Sequence, residues 1–546
     1  MRFNIAQFLP EMARTAPNRD AIICAHAPDG FGRTKLTFSE LNSECDALAW
    51  GLSEAGIGPG SRVLLGVRPG LEFVALTFAV FKIGAVPVLI DPGMGRTNLL
   101  HCVARAKPEA MIAIPAAHAL RALTGHAAFD TVRVAVTVGR RWFWGGPTLA
   151  KIRASGLKRG PYKIADTTTE SPAAILFTSG GTGPPKGVCY EHGMFGAQVE
   201  AIRSHFNIEP GEIDLPAFPL FALFSTALGT TCVIPDMNPS RPATCDPDKL
   251  IDAIQSRAVT YSFGSPAIWK RVGPRCIERG VTLPNLKRIM MAGAPVRGDV
   301  LAPFATILSK DADVFIPYGA TEALPVSSMR GSEVLNETWA LTRQGRGHCV
   351  GKPLPSMTVR VVNYDAAKSI TPLTPNTIGE IIVSGPVVTK EYFEMPEATA
   401  AAKIIDDTGR LWHRMGDMGY LDETGRIWFC GRLAHRVTAA NGSVFYSVCC
   451  EAIVEEFLRA KMGIEARAAL IKTSSSNPAL ALEWHVKRRA AGVEQEIVKH
   501  WKLEPLGQHV DRVEFYRKPF PVDVRHNAKI DRELIGKNVS KSYVRN

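Results

Sequence analysis

The chain is short of the features that mark disulfide-built, metal-built or membrane-spanning proteins. Its 11 cysteines include no Cys-x-x-Cys, and the only close pair is the adjacent Cys449 and Cys450. That argues against a disulfide framework or a zinc site and for buried thiols in a reducing, cytoplasmic compartment. The most apolar stretch, residues 73–90, is interrupted by Lys82, Gly84 and Pro87. A helix followed by a short buried strand is expected there, not a membrane span. The first twenty residues carry Glu11 and Asp20 and lack a signal peptide's apolar core. Finger-type Cys/His spacing and RNP-like runs are also missing, so nucleic acid is not the expected partner. Acid is in modest deficit: 64 Lys plus Arg face 52 Asp plus Glu, a net charge of +12. Such a balance suits an anionic ligand such as a nucleotide, or is simply a solvated basic surface.

What is present reads as a large globular enzyme-sized chain. With 546 residues, 46% of them hydrophobic, two or more domains are expected. Strand-like runs alternate with helix-like ones. SRVLLGV precedes the helical LEFVALTFAVFKIG, which precedes AVPVLIDP, and the pattern returns at AAILFTS, GTTCVIPD and KRIMMAGAP. This alternation predicts α/β architecture with a mainly parallel sheet. From about residue 358 the runs TVRVVNYD, GEIIVSGP and GRIWFCGR are short and separated by Gly, Pro and Asp, which predicts a β-barrel-like subdomain. Past Arg432 an amphipathic helix and two short strands lead to a polar, basic end. The expected division is residues 1–434 and 435–546.

Four motifs carry chemistry. The first, ILFTSGGTGPPKGV at residues 175–188, follows a buried strand with a glycine loop and a lone Lys186. Consecutive N–H groups in such a loop make a concave anion site. It is not a Walker A loop, because Pro185 precedes the lysine and Gly187 follows it. Proline also keeps the preceding residue out of the α region, so a mobile hairpin lid over phosphates is expected; alone, it also reads as a plain turn. In the second, IPYGATEALPV, a strand is expected to end at Tyr318, Gly319 to allow a sharp turn, and Glu322 to offer Mg²⁺ a hard oxygen. A loop carboxylate paired with arginine is the alternative. The third, HRMGDMGYLDETGRIWFCGR, places Asp417 after Gly416 in what reads as a tight turn. A carboxylate there can accept both ribose hydroxyls, and Arg432 can reach phosphate or ribose; Asp422 and Gly425 read as turn chemistry. The fourth, VRHNAKIDREL, offers Lys529 in a polar loop, where a lone lysine is ordinarily a solvated surface residue.

Together these motifs resemble the adenylate-forming superfamily of acyl-CoA synthetases, luciferases and peptide-synthetase adenylation domains. TSGGTGPPKG matches its phosphate loop, YGATE its Thr-Glu signature, and Asp417 with Arg432 its ribose signature. NAKIDR matches its catalytic-lysine signature with Ala528 where Gly is usual, and MAGAP its adenine-binding turn. The resemblance spans nearly the whole chain in order. It implies a large N-terminal domain and a small mobile α+β C-terminal one. It implies that Thr178, Ser179, Gly180, Gly181, Thr182, Gly183 and Lys186 handle the β- and γ-phosphates of ATP. Gly293, Ala294, Pro295 and Tyr318, with Gly319 and Ala320, would hold adenine. Thr321 would meet the α-phosphate, Glu322 the Mg²⁺, and Asp417 and Arg432 the ribose. Lys529 would bridge substrate carboxylate and α-phosphate. His192 matches a family histidine, with helix capping as its other reading.

The departures point to one branch. FPLFALFSTALG puts Ala222 where many relatives have His, and the usual acidic or lysine hinge is replaced by a stretch with Ala434 and His435. YGATEALPVSSM and GRLAHRV are most similar to the β-lactone synthetases of bacterial long-chain olefin biosynthesis. That resemblance implies adenylation of a 2-alkyl-3-hydroxyalkanoic acid and closure by its own hydroxyl, with AMP leaving. An internal nucleophile enjoys a high effective concentration, part of which a strained four-membered ring forfeits. It also implies association with other olefin-pathway enzymes, a lactone decarboxylase and a reductase. Phe218, Phe221 and Phe224 would line an alkyl pocket, or are ordinary core. The other functional readings are a fatty acyl-CoA or acyl-AMP ligase serving a thiol, and a non-enzymatic nucleotide-binding protein.

Overall fold

The computed structural model describes residues 1–178, 184–366, 368–472, 478–484, 490–510, 512–523 and 529–543. Two large sheets face each other across the helix Leu71–Ile83. One has six strands in the order Val134–Thr137, Ala110–Ala113, Arg62–Gly66, Val86–Leu89, Pro172–Thr178 and Lys186–Glu191. The first five run parallel and the last is antiparallel. Strands of this kind are covered on both faces and so are apolar throughout, as the fully buried Ala110–Ala113 is. The other sheet has nine strands, with Arg288–Met291, Tyr261–Gly264 and Asp313–Ala320 parallel near one end and Ala323–Arg330 antiparallel beside them.

The helix Leu71–Ile83 is apolar on every side because it sits between the sheets, with Phe78 1% exposed. Lys82, expected to interrupt an apolar run, is itself buried there. Its Nζ meets Asp46 Oδ1 at 2.6 Å and Asn42 Oδ1 at 2.7 Å. A buried ammonium is tolerated only when paired in this way. The neighbouring helix Phe38–Glu54 starts at a reciprocal cap, Thr37 Oγ1 accepting from Glu40 N and Glu40 returning to Thr37 N. Among the described residues no helix is long and apolar enough to cross a membrane.

The expected short-strand unit is an antiparallel sheet of His348–Cys349, Ile427–Arg432, Leu411–Leu421, Gly379–Ser384 and Thr358–Val362, with Lys403–Ile405 paired to Leu411–Leu421. Beyond it the one-turn helix Leu433–His435 leads to a ribbon, Val437–Thr438 with Val444–Phe445. A three-stranded sheet follows, Ala468–Ile471, Ala479–Glu483 and Arg512–Tyr516, packed against the helix Ser447–Met462. The fold is thus α/β with a β-barrel-like subdomain, a large N-terminal domain and a small α+β C-terminal one. Parallel strands end on a common edge, and in open α/β sheets ligands bind beyond those carboxyl ends.

Candidate active site

The strands that flank the glycine loop pair with each other. Pro172–Thr178 pairs antiparallel with Lys186–Glu191, and Thr178 lies opposite Lys186. Ser179, Gly180, Gly181, Thr182 and Gly183 fall outside the described residues. At the loop end of these strands the Lys186 ammonium stands 4.7 Å from the centre of the Tyr392 ring, an electrostatic attraction to the ring face.

The Thr-Glu motif corrects the expected geometry. The strand does not stop at Tyr318; it runs Asp313–Ala320 and turns back as Ala323–Arg330. The turn is Thr321–Glu322, and the register slips between Tyr318 and Ala320. Gly319 therefore serves close approach, since a Cβ there would lie 2.5 Å from the Ala323 carbonyl oxygen. Three side chains fix this tip. Tyr190 donates its hydroxyl to the Thr321 carbonyl at 2.5 Å. Thr389 donates N–H to the Glu322 carbonyl at 2.9 Å, and Tyr392 donates its hydroxyl to Glu322 Oε1 at 2.8 Å. Burial, and then the nearby Glu322 charge, push the Tyr392 phenol up, so it stays a donor.

Asp417 is also repositioned. It lies inside the long strand Leu411–Leu421, directly opposite Arg432, rather than in a tight turn. The strand bulges where Gly416 adopts φ 64°, a region open to glycine. Asp417 is buried, accepting from Arg432 Nη1 at 2.6 Å on Oδ1 and from the Tyr318 hydroxyl at 2.7 Å on Oδ2. Beside Asp417, Arg432 is held above its ordinary range against the opposing effect of burial. A carboxylate has about four lone-pair sites, so two structural bonds leave acceptor capacity for hydroxyls. Asp422 does what its turn position predicts, accepting from Thr424 N and Arg426 N.

Lys529 lines the same cavity and has an exposed side chain. Its loop is pinned by backbone bonds, Lys529 N to Asp523 Oδ1 and Asp523 N to Lys529 O, both at 2.8 Å. Asn527 and Ala528 of its motif lie outside the described residues. Arg532 grips Glu451 of the helix Ser447–Met462 with two bonds, 2.7 and 2.5 Å, the bidentate geometry that favours arginine. The same helix is tied to the larger domain by Arg297 to Glu455 and by Arg343 Nη1 to Glu456 Oε1 at 3.5 Å. His435, in the altered hinge, is lowered to about 4 by burial and by Arg532 and Arg432, and is neutral.

Lys186, Tyr318, Thr321, Glu322, Tyr392, Asp417, Arg432 and Lys529, with Gly293, Ala294 and Pro295 from the turn after Arg288–Met291, line one cavity of about 1940 Å³. One wall is aromatic. Phe218, Phe221 and Phe224 line it, and Phe221 lies flat on Phe263 with centroids 3.5 Å apart. Ala222 is fully buried behind that wall. Glu322 is a single hard-oxygen donor, and among the described residues no three His, Cys, Asp or Glu converge on a metal. That donor set suits Mg²⁺ carried by phosphates better than an ion held by protein alone.

His192 does cap a helix, though not its own. Its Nδ1 accepts the N–H of Ile5, in the first turn of the short helix Ile5–Gln7, at 3.2 Å. Burial lowers it to about 4, and its ring packs edge-on against Phe81. Three contributors escaped the sequence. Tyr392 bridges Lys186 and Glu322. Lys403, 8% exposed, donates to the Thr389 carbonyl and to its Oγ1 at 3.3 Å, and burial lowers it to about 7 against the pull of Glu322. His413 is held well below its ordinary range by burial and by Lys403. Nothing in their local spacing sets these residues apart; they meet only through strand pairing.

The family model described as AMP-binding enzyme matches residues 9–393. The chain is 44% identical to an olefin beta-lactone synthetase of Stenotrophomonas maltophilia, covering 97% of both chains. It is 43% identical to another of Xanthomonas campestris pv. campestris, covering 97% of this chain and 96% of that one. Its fold matches an amide bond synthetase from Marinactinospora thermotolerans with a TM-score of 0.78 at 23% identity, over 98% of this chain and 99% of that one.

Proposed function

The chain belongs to the AMP-binding enzyme family, and on that premise we propose that it uses ATP to activate a 2-alkyl-3-hydroxyalkanoic acid and closes it to a β-lactone for long-chain olefin formation. The observation that carries this reading is near-full-length identity of 43–44% to two olefin beta-lactone synthetases. The cavity supports it, because one wall is cationic and acidic while the other is aromatic.

In this reading the substrate carboxylate oxygen attacks the α-phosphorus, the bond to the β-phosphate oxygen breaks, and pyrophosphate leaves. Two anions must meet. Lys529 lies between them and neutralises charge that grows in the transition state, typically the largest catalytic contribution. Lys186 and the glycine loop hold the β- and γ-phosphates. Asp417 receives the ribose hydroxyls while Arg432 keeps its carboxylate oriented, and residues 293–295 with Tyr318 flank adenine. Glu322 would hold the Mg²⁺ that accompanies the nucleotide, and that ion would supply charge neutralisation. The 3-hydroxyl oxygen then attacks the acyl carbon, its proton passes to water, and the acyl–phosphate bond breaks to release AMP. The aromatic wall of Phe218, Phe221 and Phe224 shelters the alkyl chains. Residues 435–546 form the mobile unit that brings Lys529 to the cavity. Association with the enzymes that supply the hydroxy acid and decarboxylate the lactone belongs to the same reading.

The test mixes enzyme, ATP, Mg²⁺ and a long-chain 3-hydroxy acid without coenzyme A. AMP and lactone in equal amounts are expected. AMP formation that requires coenzyme A would assign a thiol ligase instead, and no nucleotide turnover with any acid would remove the enzymatic reading.

A further inference from the structure

The loop after the edge strand Val134–Thr137 reads Gly-Arg-Arg-Trp-Phe-Trp-Gly-Gly from Gly139 to Gly146. Its last aromatic is a foundation. Trp144 is 8% exposed, donates Nε1–H to Thr137 Oγ1 at 2.9 Å, and stacks on buried His118 with centroids 5.7 Å apart. On it rest Trp142 and Phe143, at 5.3 and 5.1 Å, which are 55% and 66% exposed. Arg141 closes the loop by donating to the Gly146 carbonyl at 2.6 Å. A further apolar side chain, Leu123, is 74% exposed on the helix Pro115–Thr124 that carries His118. Large apolar groups displayed together on a braced loop call for a partner.

Charge tells which one. Between Ala110 and Ala165 nine lysines and arginines face a single acid, Asp130. Arg153 and Arg159 pair with Glu44 and Glu54 of the helix Phe38–Glu54, whereas Arg140 and Arg141, both exposed, enter no ion pair among the described residues. Exposed tryptophan and phenylalanine directly after two exposed arginines have the composition of an interfacial anchor. In such an anchor rings enter the headgroup layer and guanidinium groups remain among anionic headgroups. The loop also stands at the carboxyl edge of the parallel sheet. Leu89, which ends the strand Val86–Leu89 and lines the cavity, is three strands away along that edge, about 14 Å at the usual strand spacing.

We propose that residues 139–146 dock the protein on an anionic lipid surface, with the rim of the active-site cavity turned toward the bilayer. Docking here would bring the cavity to the lipid phase that holds a long-alkyl acid; that link alone rests on the lactone reading. The test uses full-length protein, no substrate, and sedimentation with vesicles of equal parts phosphatidylglycerol and phosphatidylcholine, or of phosphatidylcholine alone. Binding is expected to the anionic vesicles at low salt. It should fall about tenfold or more in R140E/R141E, and fall likewise in W142S/F143S, with the AMP-forming rate on a short soluble acid unchanged in both. If W142S/F143S fails to fold, the arginine pair carries the test. The proposal is overturned if no vesicles are bound, if neutral vesicles bind equally, or if both variants bind like the parent. A dimer in solution that W142S/F143S dissolves, without vesicle binding, would instead make the loop a contact between copies of this chain.

Discussion

Replacing Tyr392 by Phe isolates one hydrogen bond in the candidate site. The ring remains beneath the Lys186 ammonium, 4.7 Å away, while the hydroxyl that donates to Glu322 Oε1 at 2.8 Å is lost. Tyr392 is 5% exposed, so water does not readily take its place. A hydrogen bond to a charged group is worth about 1.5–3 kcal/mol. If its whole worth is in orienting Glu322 toward the metal-nucleotide, adenylation slows about 10- to 150-fold. Replacement by Leu also removes the cation–ring contact, worth about 0.5–1 kcal/mol at a partly open site, and slows the reaction about a further 2- to 5-fold. The assay is AMP release at saturating acid, with Mg²⁺ titrated at fixed ATP. A positioning role predicts a rise in the Mg²⁺ concentration giving half-maximal rate and a lower kcat, with the melting temperature nearly unchanged for Phe. A Phe variant within about twofold of the parent at every Mg²⁺ concentration would refute the reasoning, because the hydroxyl would then contribute to packing alone.

Three more expectations follow from the same contacts. Lys529→Ala should lower the adenylation rate by about 10²–10³, measured as pyrophosphate release, without altering the melting temperature, since the side chain is exposed. Asp417→Ala removes the acceptor of both Tyr318 and Arg432; ATP affinity by calorimetry should fall, and stability should fall by about 3–5 kcal/mol because a part-buried guanidinium loses its partner. Lys403 titrates near 7 when folded and near 10.5 when unfolded. Between those values the unfolded chain binds the extra proton, so this residue makes stability rise with pH by at most about 1.4 kcal/mol per unit. Lys403→Met should flatten that slope in thermal melts from pH 7 to 10, and an unchanged slope would rule the account out.

Thr178, Lys186, the Thr-Glu pair, Asp417, Arg432 and Lys529 were singled out by their match to family motifs rather than by local composition, and all of them line one cavity. Their local geometry was less legible. Gly319 looked like a turn residue, yet the turn is two residues later and the glycine answers to the Ala323 carbonyl of the returning strand. Asp417 looked like a turn carboxylate because Gly416 precedes it, yet the positive φ makes a bulge within a strand. A cross-strand carbonyl decided what Gly319 was for, and the backbone conformation of a bulge decided it for Gly416. Lys82 misled in the opposite direction, its charge hidden by Asp46 on another helix.

Periodicity and composition by themselves determined the α/β alternation, the antiparallel unit near residue 358 and the types of chemistry on offer, because burial on one or two faces imposes a pattern on each segment separately. Only the folded chain decided that Tyr392 would bridge Lys186 and Glu322, that Lys403 would be buried against Thr389, and that Trp144 would lift two aromatic rings into solvent. Those relations join residues from different strands and loops, and no local pattern encodes a contact whose energy exists only once both surfaces have left the water.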